Sequence, residues 1–215
     1  MGKGNMKETN KIPAMTSPGV HTYLEQLGSE WTDQGCAMEL GCWLGASSIP
    51  LLHGLVKAGY DRDFWAFDRW WVKQDQIDKA AKQGFKLVKG QDSSLIYLKN
   101  VKAIYSKINA FRTELPGGLT NYPGGRIEIL ILDSVKRNPV FPDTMNYLLP
   151  YCIPGVTIIG LLDYHFWERL EGEKRKAMRA PIEFMEKYGE HFSLLNEWKI
   201  EDVCAFFKYE KQISW

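Results

Sequence analysis

The feature that most constrains this chain is a recurring unit: a short apolar run that stops at a polar residue, then a stretch with helical spacing. Cys36 to Leu40 carries Glu39 near its end, and Asp63 to Phe67 stops at Asp68. Val101 to Asn109 contains a third strand. Ile127 to Leu132 ends at Asp133, and Val156 to Leu162 ends at Asp163. Helical spacing is read at His21 to Trp31, Ser47 to Ala58, Gln74 to Val88, Asp143 to Tyr151 and Glu168 to Tyr188. Strands separated by helices imply right-handed crossovers and a parallel sheet covered on both faces. Phe192 to Trp198 and Val203 to Tyr209 follow each other with a tight turn at Glu201-Asp202, so the sheet should close on a hairpin. The expected fold is therefore α/β: a Rossmann-like three-layer sandwich with a mostly parallel seven-stranded sheet and a terminal antiparallel hairpin. Such sheets bind ligands outside the carboxyl ends of their strands, where strand order reverses. Glu39, Asp68, Asn109, Asp133 and Asp163 are the residues expected there.

A chain of 215 residues supports one substantial core. The expectation is a single domain over 19–215, preceded by a polar, flexible leader over 1–18. A hydrophobic fraction of 45% with 25% charged residues is that of a soluble globular protein. Basic and acidic residues nearly cancel, 27 against 26, which gives no electrostatic footprint for a polyanion, so nucleic acid is not an expected partner. The longest apolar run, Val156 to Leu162, is far short of the ~20 residues that span a bilayer. The leader lacks the apolar stretch of a signal peptide, so no membrane contact and a cytoplasmic location are expected. Cys36, Cys42, Cys152 and Cys204 are widely spaced in apolar surroundings, and are read as buried free thiols. Trp215 and the leader are candidate contacts for a homodimer, with no feature demanding one.

The loop Glu39-Leu40-Gly41-Cys42-Trp43-Leu44-Gly45-Ala46-Ser47-Ser48 joins the first strand to its helix. Gly41 permits a sharp turn, and Gly45 is read as letting the backbone approach a ligand. Ser47 or Ser48 is expected to cap the helix. The spacing is neither the GxGxxG of a dinucleotide site nor a phosphate loop with its lysine. With Glu39 before the turn, the loop suits a zwitterionic amino-acid moiety better than a pyrophosphate. Asp68 stands where an acid can accept hydrogen bonds from both hydroxyls of a ribose.

Glu39 to Ser48, followed by Phe67-Asp68, resembles motifs of class I S-adenosylmethionine-dependent methyltransferases, and most of all the macrocin O-methyltransferase-like group. Phe111-Arg112-Thr113-Glu114-Leu115-Pro116 is similar to that group's stretch after the third strand. The resemblance covers, patchily, Cys36 to Trp167. It implies that S-adenosylmethionine is the cofactor. Glu39, Gly41 and Gly45, with Ser47 beside them, would hold the methionine end, Asp68 the ribose, and Asn109 would lie near the adenine. Trp70 or Trp71 could pack against the adenosine.

Methyl transfer to an oxygen requires positioning of the acceptor and management of its proton. Related enzymes often hold a divalent cation such as magnesium on acids after the fourth and fifth strands. Asp133 and Asp163 match those places, but Val135, Leu162 and Tyr164 stand where that group carries further acids. There is also a similarity to caffeoyl-CoA O-methyltransferases, in which Asp133, Lys136, Asp163 and Trp167 match and Tyr164 replaces an amide ligand. Without a metal, His165 is the best-placed base among the histidines, with Lys136 as its electrostatic partner and Asp133 nearby. The expected function is methylation of a small-molecule acceptor, through oxygen. The alternatives are a non-catalytic cofactor-binding relative with an eroded metal site, and a nicotinamide oxidoreductase, which the missing GxGxxG and the hairpin disfavour.

Overall fold

The computed structural model describes residues 12–198 and 203–213. In chain order the elements are α1 (Pro18–Ser29), β1 (Cys36–Leu40), α2 (Ser48–Lys57), β2 (Phe64–Asp68), α3 (Gln74–Lys82), α4 (Ser94–Lys102) and β3 (Ile108–Arg112). Then follow β4 (Ile127–Leu132), α5 (Val140–Leu148), β5 (Ile158–Leu161), α6 (Gly172–Ala177), α7 (Ala180–Lys187), β6 (Phe192–Trp198) and β7 (Cys204–Tyr209). One sheet takes them in the order β3-β2-β1-β4-β5-β7-β6. β1 to β5 pair in parallel, and β7 runs antiparallel to both β5 and β6. This is the expected architecture.

The sheet is buried on both faces, which is why its central strands read as unbroken apolar runs. Along β4, Leu130 and Leu132 face one helical layer with Phe141, Met145 and Phe184. Ile129 and Ile131 face the other, with Leu24, Leu52 and Tyr97. In that second layer α1 and α2 cross with backbones almost touching. A Cβ placed on Gly54 would lie 2.7 Å from the Ser29 amide nitrogen. The one acid in β4, Glu128, is buried, and its carboxylate accepts from the amides of Gln34 (2.8 Å) and Gly35 (3.0 Å), pinning the entry to β1. Among the described residues no helix is long and apolar enough to cross a membrane. All four cysteines are buried free thiols.

Several expected elements are corrected. The third strand begins later than its apolar run suggests, because Val101 belongs to α4, a helix with only Tyr97 and Val101 buried. Asn109 is therefore the second residue of β3, opposite Trp65, and not at the carboxyl end, which is Arg112. The long helix over 168–188 is broken into a 3-10 turn, α6 and α7. Gly172 takes φ +56, and Pro181, which lacks an amide donor, is accommodated in the first turn of α7. α3 stops short of Gly84, which has φ +75, and α5 gives way to a 3-10 turn at Leu149–Tyr151.

Residues 12–17 do not behave as a free leader. Ile12 packs against the core, and the Ala14 amide and carbonyl pair with the side chain of Gln83 on α3 at 2.9 and 3.0 Å. The rest of the expected leader, residues 1–11, lies outside the described residues, as do the Glu201-Asp202 turn and Trp215.

Candidate active site

Strand order reverses between β1 and β4, whose helices leave on opposite faces, and the crevice opens there. A cleft of about 610 Å³ lies outside the carboxyl ends of the strands, within the range of small-ligand sites. Gly41, Trp43 and Asp68 line it, together with Asp133, Lys136 and Asp163. α3 and residues Met15 and Thr16 supply an outer wall.

The glycine loop is held by acids beneath and beside it. Gly41 has φ +94, and a Cβ there would come 2.7 Å from the Ser134 Cβ and 2.8 Å from the Ser134 amide nitrogen. Only glycine lets the loop lie this close to the exit of β4. Gly45, with φ +93, has a different role from the one expected. Its bare face meets α4, where a Cβ would lie 3.1 Å from Val101 and 3.3 Å from Tyr97, and it does not line the cleft.

Glu39 is likewise not open to the cleft. It shares a sheet face with Ala37, is fully buried, and its two carboxylate oxygens accept from the hydroxyls of Ser47 and Ser48. Those hydroxyls therefore make no cap bond to α2. Burial pushes the Glu39 carboxyl up to about 7, against the two serine hydrogen bonds, with the nearby Asp68 charge adding to the rise.

Asp68 closes β2 and does reach the cleft. Its carboxylate accepts from the amides of Trp43 (2.8 Å) and Trp70 (2.6 Å), both residues with positive φ, so it clamps the loop from the side. Burial raises its carboxyl, while the amides of Trp70, Trp43 and Cys42 and the charge of Arg69 pull it down. Each oxygen keeps lone-pair capacity for a further donor. Trp70 is a core residue, 4.9 Å from the Tyr97 ring centroid, with its indole N–H donated to the Trp43 carbonyl at 2.8 Å. Trp71 is exposed and lies outside the cleft lining. Trp43 lines the cleft, and its buried indole N–H has no hydrogen-bond partner among the described residues.

Three charged groups also line the cleft: Asp133, Lys136 and Asp163. Burial and the Asp163 charge push the Asp133 carboxyl well above the usual range, opposed by Lys136. Lys136 makes an ion pair with Asp163 and lies 4.7 Å from the centroid of the Phe166 ring. Asp133 and Asp163 are thus brought together as expected, but an ammonium sits with them. Val135 is buried in the core, and Tyr164 packs edge-on to Phe207 at 5.1 Å, so these positions face away from the cleft. No group of three or more His, Cys, Asp or Glu side chains is arranged to hold a metal among the described residues. With the Lys136 ammonium paired to Asp163, and no third carboxylate, imidazole or thiolate beside Asp133 and Asp163 among the described residues, these side chains do not make up a divalent-cation site.

His165 is not delivered to the cleft. It is 5% exposed, with Nδ1 2.9 Å from Glu168 Oε1 and Nε2 2.6 Å from Glu197 Oε1. Both ring nitrogens are engaged, so it braces the 3-10 turn after β5 against β6 and is not placed as a base. Asn109 also lies away from the cleft. The residues that sequence reasoning missed are Trp43, Leu115, Phe166, and the α3 and 12–17 side chains of the outer wall. Their only local signal is proximity in sequence to strand ends, which Trp43, Leu115 and Phe166 have and the others lack.

No family model matches the sequence, and no curated protein matches it. Solved structures do. A candidate O-methyltransferase from Klebsiella pneumoniae superposes with a TM-score of 0.67 at 13% identity, over 98% of this chain and 92% of that one. An O-methyltransferase from Bacillus cereus, in complex with S-adenosylhomocysteine, gives 0.61 at 14% identity over 95% and 86%. This chain shares their fold. The O-methyltransferase NovP has it too, with a TM-score of 0.57 at 16% identity over 90% and 78% of the two chains. In this chain Gly41 of the glycine loop, Asp68 and the Asp133–Lys136–Asp163 trio all line one cleft.

Proposed function

We propose that the protein is an S-adenosylmethionine-dependent methyltransferase that methylates an oxygen of a small molecule. The observation that carries this reading is one cleft lined by two chemically different groups of residues. Asp68 beside the glycine loop suits a nucleoside, and the Asp133–Lys136–Asp163 trio suits a polar acceptor.

Residues present fit the cofactor. Gly41 has no Cβ to intrude, Asp68 retains acceptor capacity toward the cleft, and Trp43 offers an aromatic wall. When bound, S-adenosylmethionine supplies a methyl group on an already activated sulfonium. Asp68 holds the ribose hydroxyls, and Gly41 and the loop amides border the methionine end. Glu39, with Ser47 and Ser48, acts from below by fixing the loop, and Gly45 by seating it on α4. Leu115, Phe166 and Val203 keep water from the acceptor. Lys136, anchored by Asp163 and Phe166, would face the acceptor oxygen and stabilise the negative charge left there when its proton passes to solvent water. No metal-dependent step is assigned.

Incubation with methyl-labelled S-adenosylmethionine and a panel of hydroxylated small molecules, followed by mass spectrometry, tests the reading. Labelled product whose yield falls in Lys136→Met supports it. Cofactor binding without any product across the panel would favour a non-catalytic binding protein.

A further inference from the structure

The outer part of the cleft is charged unevenly. Three of its acids are engaged: Asp68 on backbone amides, Glu114 within 3.8 Å of Arg69, and Asp163 with Lys136. Asp75, in the first turn of α3, and Asp133 make no ion pair within 4.0 Å among the described residues. Three lining cations have no carboxylate within ion-pair distance among the described residues. Lys73 and Lys79 come from the α3 side, and Arg137 from the loop between β4 and α5. The Lys79 ammonium lies 3.0 Å from the Met15 sulfur, a weak acceptor. The lining also carries apolar side chains, Leu115, Val140 and Phe166.

A cleft that concentrates unpaired cations on two of its walls raises the local concentration of anions and orients them as they enter. The apolar side chains of the lining cover an uncharged body, and the trio faces the reacting oxygen. We propose that the methyl acceptor is an anion: a hydroxylated molecule with an aromatic or otherwise apolar body whose carboxylate or phosphate is held by Lys73, Lys79 and Arg137. This rests on the methyltransferase reading, since it assigns the outer cleft to the acceptor. The arrangement gives each region one task. The hydroxyl meets Lys136, the body lies on Phe166 and Val140, and the anionic group stays in the wetter mouth, where long cationic side chains follow it without a desolvation penalty.

Three ring compounds of like size separate the alternatives: 4-hydroxybenzyl alcohol, 4-hydroxybenzoate and 4-hydroxyphenyl phosphate. Each is titrated into the protein saturated with S-adenosylhomocysteine, for the wild type and for K73Q/K79Q/R137Q. S-adenosylhomocysteine affinity is measured first in both proteins, because the three cations are not assigned to the cofactor. The expected result is equal cofactor affinity in the two proteins. At least one anionic probe should bind the wild type roughly tenfold more tightly than the neutral one, the scale of a few exposed charge contacts. That preference should vanish in the triple variant and fade as salt rises. Which anion gains more identifies carboxylate or phosphate as the recognised group. If S-adenosylhomocysteine binds but the neutral and anionic probes bind alike, or none binds, the anionic-acceptor proposal is overturned while the cofactor assignment stands. If S-adenosylhomocysteine itself does not bind the wild type, the methyltransferase reading falls and the acceptor proposal falls with it.

Discussion

Replacing Glu39 by glutamine isolates the energetic role of the acid under the glycine loop. The carboxyl is fully buried, between two serine hydroxyls, and its folded pKa of about 7 stands above the ordinary 4.5. Between those values the folded protein keeps a proton that the unfolded chain has released. Stability must therefore fall as pH rises through this window, and the loss is complete above about 7. At 1.36 kcal/mol per pH unit, the gap corresponds to about 3 kcal/mol. Glutamine has the shape of the protonated acid and the same mixture of donor and acceptor, but it cannot ionise. Urea denaturation of both proteins from about pH 4 to about pH 8 should show the wild type losing about 3 kcal/mol relative to E39Q across that range. Parallel stability profiles would refute the assignment of a strained, buried carboxyl. So would a difference that widens in the opposite sense.

Two further outcomes follow from the same geometry. Gly41→Ala places a Cβ against Ser134 at positive φ, so thermal unfolding should report a loss of about 1–3 kcal/mol; an unchanged midpoint would mean that the loop does not lie against β4. Lys136→Met keeps much of the side chain's length and apolar packing while removing the charge beside Asp163. Methyl transfer should drop on the order of 10²-fold with S-adenosylhomocysteine affinity unaltered, read by single-turnover kinetics and calorimetry. Equal rates would dismiss Lys136 from the acceptor site.

The sheet was legible because both of its faces are buried. β4 and β5 could only be apolar runs, and the acids that end them, Asp133 and Asp163, had to stand at the cleft. Asp68 was legible for the same reason. Strand parity was the overlooked signal at Glu39: two residues after Ala37, it shares the face packed under α1, α2 and α4, and so points into that layer. Asn109 was misplaced because α4 buries little beyond Tyr97 and Val101, so Val101 joined the following apolar residues into an apparent strand. His165 follows β5 in sequence, but its two carboxylate partners come from separate segments, and no local pattern reveals Glu197 across 32 residues. The outer wall was invisible for a similar reason. Met15 and Thr16 reach the cleft from a segment pinned to α3 by the Ala14–Gln83 pairing, 69 residues apart.

Calorimetric titration with S-adenosylhomocysteine, on the wild type and on Asp68→Ala, tests the central claim most directly. The account expects micromolar-range binding by the wild type, with a loss of about 1–3 kcal/mol when the charged acceptor is removed. No heat and no shift in unfolding temperature with the wild type, or equal affinity in the two proteins, would contradict it.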